Sequence, residues 1–142
     1  TTEIYTLSLH DALPISGDIN DIDDDGDGYI DNFVGYDINY DTNDPYPISP
    51  TNQYHGTMVA GCVSAVTNNQ IGISSVGFSV KLMGLNCGDN QGYIPTGFEG
   101  ILAAAHMGAD IINCSWGMTS YIESNQAVIN TVYNEYGCVI VG

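Results

Sequence analysis

From residue 52 to residue 142 the chain alternates between helix-like and strand-like stretches joined by short links, and nothing else constrains its fold so strongly. Residues 55–66 (HGTMVAGCVSAV) are small and apolar, the composition of a buried helix packed against a sheet. Residues 81–86 (KLMGLN) form a short apolar run that reads as a strand. Residues 97–107 set Phe98, Ile101, Leu102 and Ala105 on one helical face, with Gly108 placed to end the helix. Residues 110–114 (DIINC) read as a strand. Residues 123–136 space Val128, Val132 and Tyr136 four apart before Gly137, and residues 138–141 form the next strand. Strand and helix in this order predict crossover units, and so an α/β fold with a mainly parallel sheet flanked by helices. Ligands of such sheets gather at the carboxyl ends of the strands. The loop after Cys114 and the approach to His55 are therefore where chemistry is expected.

Charge narrows the possible partners. The 142 residues carry 17 acids against a single Lys or Arg, a formal net charge of −16. One cation cannot neutralise a phosphate backbone or hold an anionic lipid surface, so no nucleic-acid partner and no membrane are expected. No apolar run approaches the ~20 residues of a membrane span. At 44% apolar the chain is nonetheless no disordered acidic tail. Ten of the 17 acids lie within residues 18–44.

Residues 1–15 (TTEIYTLSLHDALPI) have no firm periodicity and lack the charged n-region of a signal peptide. The whole stretch resembles a frame translation of a common sequencing-library adapter, so it is set aside from fold reasoning, together with His10 and Asp11. Without Glu3 and Asp11 the charge is −14, from 15 acids and Lys81. Residues 138–142 (CVIVG) end the chain on a buried-strand run. A fragment comprising residues 16–142 is expected, cut inside a core strand, with an acidic insertion at 18–44.

His55 opens the central motif, His55-Gly56-Thr57-Met58-Val59-Ala60-Gly61. A histidine titrates near neutrality and suits general-base work. Gly56, Ala60 and Gly61 let a helix lie tight against a sheet. On these grounds alone a lone histidine is more often structural than catalytic.

The motif resembles the HGTHVAG signature around the catalytic histidine of subtilisin-like serine peptidases, the subtilases. Residues 68–73 (NNQIGI) resemble the N-N-x-I-G-V calcium-loop segment of that family, and residues 110–117 (DIINCSWG) its D-V-I-N-x-S-x-G substrate strand. Residues 22–31 (IDDDGDGYID) with Gly35-Tyr36-Asp37 resemble an insertion of secreted bacterial subtilases. The resemblance covers nearly all of residues 17–142, in family order. It implies a partial subtilisin-like three-layer fold and a secreted Ser–His–Asp endopeptidase. His55 would pass a proton from the serine to the leaving amine while an aspartate orients the imidazole. Ser115, Trp116 and Gly117 would bind a polypeptide substrate through main-chain groups, with residues 86–93 (NCGDNQGY) as the facing wall. Core packing is the alternative for Trp116. The chain contains neither the D-[ST]-G nor the G-T-S-x-[AS] segment of the family, so it is expected to be inert and poorly stable. Asp37 matches a non-catalytic position of the pattern. Met58 departs from it in place of the second histidine, as does Tyr54 before His55.

Asp23, Asp25, Asp27, Gly28 and Asp31 fit D-x-D-x-D-G-x-x-D, which can gather oxygens on one hard cation. The candidate Ca²⁺ ligands are Asp23, Asp25, Asp27, Tyr29 and Asp31. Position 12 is Val34, so the bidentate glutamate of a full EF-hand loop is missing. Asn69, with carbonyls of Thr67, Ile71 and Ile73, is a second candidate. A calcium-binding structural module and a catalytically inactive subtilase homologue are the competing readings. His106 reads as an ordinary residue near a helix C-terminus. Cys62, Cys87, Cys114 and Cys138 allow three pairings if all are bridged, and no C-x-x-C spacing suggests zinc.

Overall fold

The computed structural model describes residues 3–8, 19–46, 55–77 and 80–142. Along the chain they form β1 (Glu3–Ser8), β2 (Gly35–Asp37), α1 (His55–Ser64), β3 (Lys81–Asn86) and α2 (Gly97–His106), followed by β4 (Ile111–Cys114), α3 (Glu123–Thr131), a π-helical turn (Val132–Tyr136) and β5 (Val139–Val141). Tyr54 and the rest of residues 47–54 lie outside the described residues.

The strands form one sheet in the order β2-β3-β1-β4-β5. β2 runs parallel to β3 with Tyr36 opposite Leu85, and β4 runs parallel to β5 with Ile112 opposite Ile140. β1 is antiparallel to both β3 and β4, so β3 and β4 point the same way. The expected mainly parallel α/β sheet is therefore present, with four co-directional strands and one reversed strand at its centre. That strand belongs to the segment resembling an adapter translation. A ladder rests on main-chain groups and leaves the origin of the sequence open.

The core lies where β3 and β4 meet α2. Met83, Leu85 and Cys87 are buried against Ile101, the alanines of α2 and Ile112. Each large side chain fully buried there contributes about 1.5–3 kcal/mol. Alanines let α2 approach the sheet closely, and the helix ends as its sequence indicates. Gly108 adopts φ +82°, its N–H donates to the Ala105 carbonyl, and that of Ala109 donates to Ala104, closing a Schellman turn. The helix expected over 123–136 is α-helical only to Thr131. The π turn follows, and Gly137 closes it at φ +74°.

The first helix differs from expectation. It ends at Ser64 instead of residue 66, and only Gly56 is buried, while Met58 is 61% exposed. The physical reason is its neighbourhood. α1 packs mainly on β1 and β3, whereas α2 also meets α3 and the π turn.

Candidate active site

The direction of α1 fixes where His55 stands. Ser64, its last residue, donates through Oγ to the Val80 carbonyl at 3.1 Å, just before β3 begins. Ten residues of helix span ~15 Å and six of strand ~20 Å, so the other end of α1 lies toward the carboxyl end of β3. His55 is exposed there. Ser115, Trp116 and Gly117 leave the carboxyl end of β4, which is co-directional with β3. The histidine and the segment read as substrate-binding thus share the edge of the sheet at which α/β folds place their chemistry.

A polar network braces this edge. Asp37 is buried at the end of β2 and accepts hydrogen bonds from the N–H groups of Asn39 and Tyr40 and from Asn86 Nδ2 at 2.6 Å. Asn86 Oδ1 in turn accepts from the Gly88 N–H. The Asp37 carboxylate is thus committed to holding the turn after β2 and the loop after β3. That loop continues to Asp89, whose Oδ1 accepts from the N–H groups of Gln91 and Tyr93.

Ser115 and Gly117 are exposed, and Ser115 Oγ accepts from Asn113 Nδ2 at 2.9 Å. Trp116 is half-buried. Its ring meets Phe98 edge-on at 5.3 Å between centroids and 83° between planes, and its Nε1 is buried without a hydrogen-bond partner. Cavities of about 300 and 400 Å³ adjoin the indole. The second is also lined by Gly92 and Tyr93, from the segment read as the facing wall. His55 lines neither. The sequence reading missed Gly97, Phe98 and Glu99, which line the second cavity as well. Phe98 lay in the apolar face of a helix, and no local pattern separates a cavity wall from a core position.

The acidic loop is tightly wound. Asp23 accepts from the N–H groups of Gly26 and Gly28, Asp25 from that of Asp27, and Asp27 from that of Tyr29 and from Asn32 Nδ2. Among the described residues, Asp23, Asp25 and Asp27 bring carboxylate oxygens within 4.8 Å of one another. Burial raises the pKa of Asp27, against the lowering effect of its Asn32 and Tyr29 hydrogen bonds. Asp31 is buried apart from these three, its two oxygens accepting from the N–H groups of Asn20 and Asp21. The Tyr29 ring packs edge-on against Tyr36 at 5.0 Å. Asn69 lies in the loop after α1 and accepts from the Ile71 N–H. Cys62 is an exposed free thiol, and Cys87, Cys114 and Cys138 are buried free thiols. His106 is exposed, its ring 5.2 Å from that of Tyr136.

Comparison with known proteins fits this arrangement. The profile of the subtilase family matches residues 15–141. The chain is 32% identical over 109 residues to a thermophilic serine proteinase of Bacillus sp. (strain AK1), covering 75% of this chain and 26% of that protein. It is 39% identical over 75 residues to halolysin of Haloferax mediterranei, covering 52% of this chain and 14% of that one. It is 35% identical over 89 residues to thermitase of Thermoactinomyces vulgaris, covering 61% and 32%. It thus spans about a third or less of the length of these relatives. No solved structure matches. A profile match over nearly the whole chain, on a mixed α/β sheet flanked by helices with the HGTMVAG motif opening α1, shows that this chain belongs to the subtilase family.

Proposed function

We propose that residues 16–142 are part of the catalytic domain of a secreted serine endopeptidase. In this reading His55 is the general base and acid. It takes the proton of a serine as that serine attacks the scissile carbonyl, then delivers it to the leaving amine. An aspartate orients the imidazole and balances its charge. The serine and the aspartate come from parts of the protein beyond these 142 residues, so the chain alone is inert. Ser115, Trp116 and Gly117 offer main-chain groups to an extended polypeptide substrate. The observation that supports it is that His55 is exposed at the start of α1, whose last residue meets the start of β3, while Ser115 and Gly117 are exposed just beyond the end of the co-directional β4. Secretion is supported by a relative named an extracellular serine protease, Nep of Natrialba magadii, 37% identical over 92 residues.

The test is to express the longer reading frame beside the 142-residue chain and assay both on a polypeptide. The longer product should cleave and His55→Ala should lower its rate ~10⁴-fold or more, while the short chain shows no turnover. Cleavage by the short chain, or an active His55→Ala variant, would refute the assignment. A longer product that folds but never cleaves would favour the inactive homologue.

A structural Ca²⁺ in the acidic loop belongs to the same proposal. Asp23, Asp25 and Asp27 would hold it, since three convergent carboxylates suit a hard cation and repel one another without one. Tyr29 would contribute its carbonyl, and Asp31 would act from behind by fixing the loop backbone. Asn69 would serve a separate, weaker site.

A further inference from the structure

Trp116 divides two cavities of different chemistry. The one of about 300 Å³ is lined by Phe98, Ile101, Ile129 and Ile140 among others and, among the described residues, by no charged side chain. The one of about 400 Å³, between Tyr93, Trp116 and the first turn of α2, has Glu99 in its wall. The indole closes over this turn because residue 97 has no side chain. A Cβ on Gly97 would stand 2.8 Å from two carbons of the ring. An acid in the first turn of a helix is favourable in itself. Glu123 also lies in the first turn of its helix, α3, yet lines neither cavity, whereas Glu99 shares its cavity with the rings of Tyr93, Phe98 and Trp116. The chain brings no Lys or Arg of its own to this end of the sheet. Its one Lys or Arg, Lys81, opens β3 at the opposite end.

We propose that the larger cavity is a subsite for a basic side chain, Lys or Arg, of an extended polypeptide. The aliphatic stem lies along Tyr93 and Trp116, the cation approaches an aromatic face, and the head reaches the Glu99 carboxylate. This rests on the peptidase reading insofar as the ligand is a polypeptide strand, and goes beyond it in naming the side chain selected. The smaller cavity, with no charged side chain among the described residues, takes no part in that selection.

Trp116 is the sole tryptophan, so intrinsic fluorescence reports on the site. The probes are blocked alanine peptides carrying Arg, norleucine or Glu at one position, scanned along the peptide and titrated into the 142-residue chain. At one position Arg should bind about tenfold more tightly than norleucine, with Glu weakest. Glu99→Gln should erase the Arg advantage and leave norleucine affinity unchanged. Glu135→Gln removes the same charge from the exposed π turn and should leave the advantage intact. Equal binding of Arg and norleucine overturns the subsite alone, as does an equal effect of both variants, which would reduce the preference to net charge. Failure of every peptide to bind a chain that circular dichroism shows to be folded overturns the polypeptide reading of the site as well.

Discussion

Gly35 shows how one residue sets the start of a strand. It adopts φ +132°, and a Cβ there would overlap the Gly84 carbonyl on the neighbouring strand. Gly26 has φ +74° but open space around it. The two glycines therefore separate backbone strain from steric overlap. Gly35→Ala should destabilise the chain by about 2–5 kcal/mol, and Gly26→Ala by about 1–2 kcal/mol, read as shifts in thermal midpoint. Equal losses would mean that the close approach at Gly84 is not the limiting contact. The thiols make a second residue-scale prediction. Burial pushes Cys114 up to about 12, and raises Cys87 and Cys138, while Cys62 is exposed. Ellman's reagent near neutral pH should therefore titrate one thiol quickly and the other three only on unfolding. Above pH ~9 the unfolded chain ionises thiols that the folded chain keeps neutral, so the folded state binds more protons and stability falls with rising pH. A Cys87→Ala, Cys114→Ala, Cys138→Ala triple variant that lost stability with the same alkaline slope would refute that origin. Burial of Cys114 and Cys138 was legible in the sequence, because both fall in apolar strand runs. That of Cys87 was not, because it sits one residue beyond β3 and is covered by residues distant in the chain.

At the scale of elements, α2 was the most legible. Its apolar face has helical period, and Gly108 ends it by a local turn that needs no distant partner. The π turn after α3 was not legible, since the four-residue spacing of Val128, Val132 and Tyr136 suits either winding. β1 could not be read from side-chain pattern at all. The acidic loop was legible in part. Alternation brings Asp23, Asp25 and Asp27 together, but Asp31 has φ +52° and reaches backbone 10 and 11 residues upstream, which local spacing cannot reveal. The division of roles is testable. Ca²⁺ well above its Kd should raise the thermal midpoint, about 2.7 kcal/mol of stabilisation at a hundredfold excess. Asp25→Asn should weaken that response while changing metal-free stability little, since Asp25 is exposed. Asp31→Asn should lower metal-free stability, because it disturbs a buried carboxylate holding two backbone N–H groups. A Ca²⁺ response unaltered in Asp25→Asn would exclude this loop as the site.

For the molecule as a whole, the shared direction of β3, β4 and β5 followed from the alternation of patterns, whereas the strand order, with β1 at its centre, and the exposure of its apolar surface did not. Val76, Ile71 and Val66 in and around the loop after α1 are 96%, 77% and 71% exposed, and Val139 and Val141 stand open on the edge strand β5. Burial depends on what else is packed nearby, and a pattern of apolar residues carries no information about that. Charge acts at the same scale. Seventeen acids face one Lys or Arg, and ten of them share residues 18–44, so compaction of the chain works against its own field. If that repulsion limits stability, indifferent salt should relieve it. Raising monovalent salt from ~0.01 M to ~1 M shortens the screening length from roughly 30 Å to roughly 3 Å. The thermal midpoint should rise with salt, with most of the gain below ~0.2 M, where the screening length falls through the spacing between acidic groups. A chelator present throughout keeps divalent ions out of the acidic loop, and sodium and potassium should act alike. Charge repulsion has no cation preference, whereas a specific site does. A midpoint that stayed flat below ~0.2 M and rose only at higher salt would instead assign the effect to strengthened burial of apolar surface. The weak point of the chain would then be its uncovered apolar faces, not its acids.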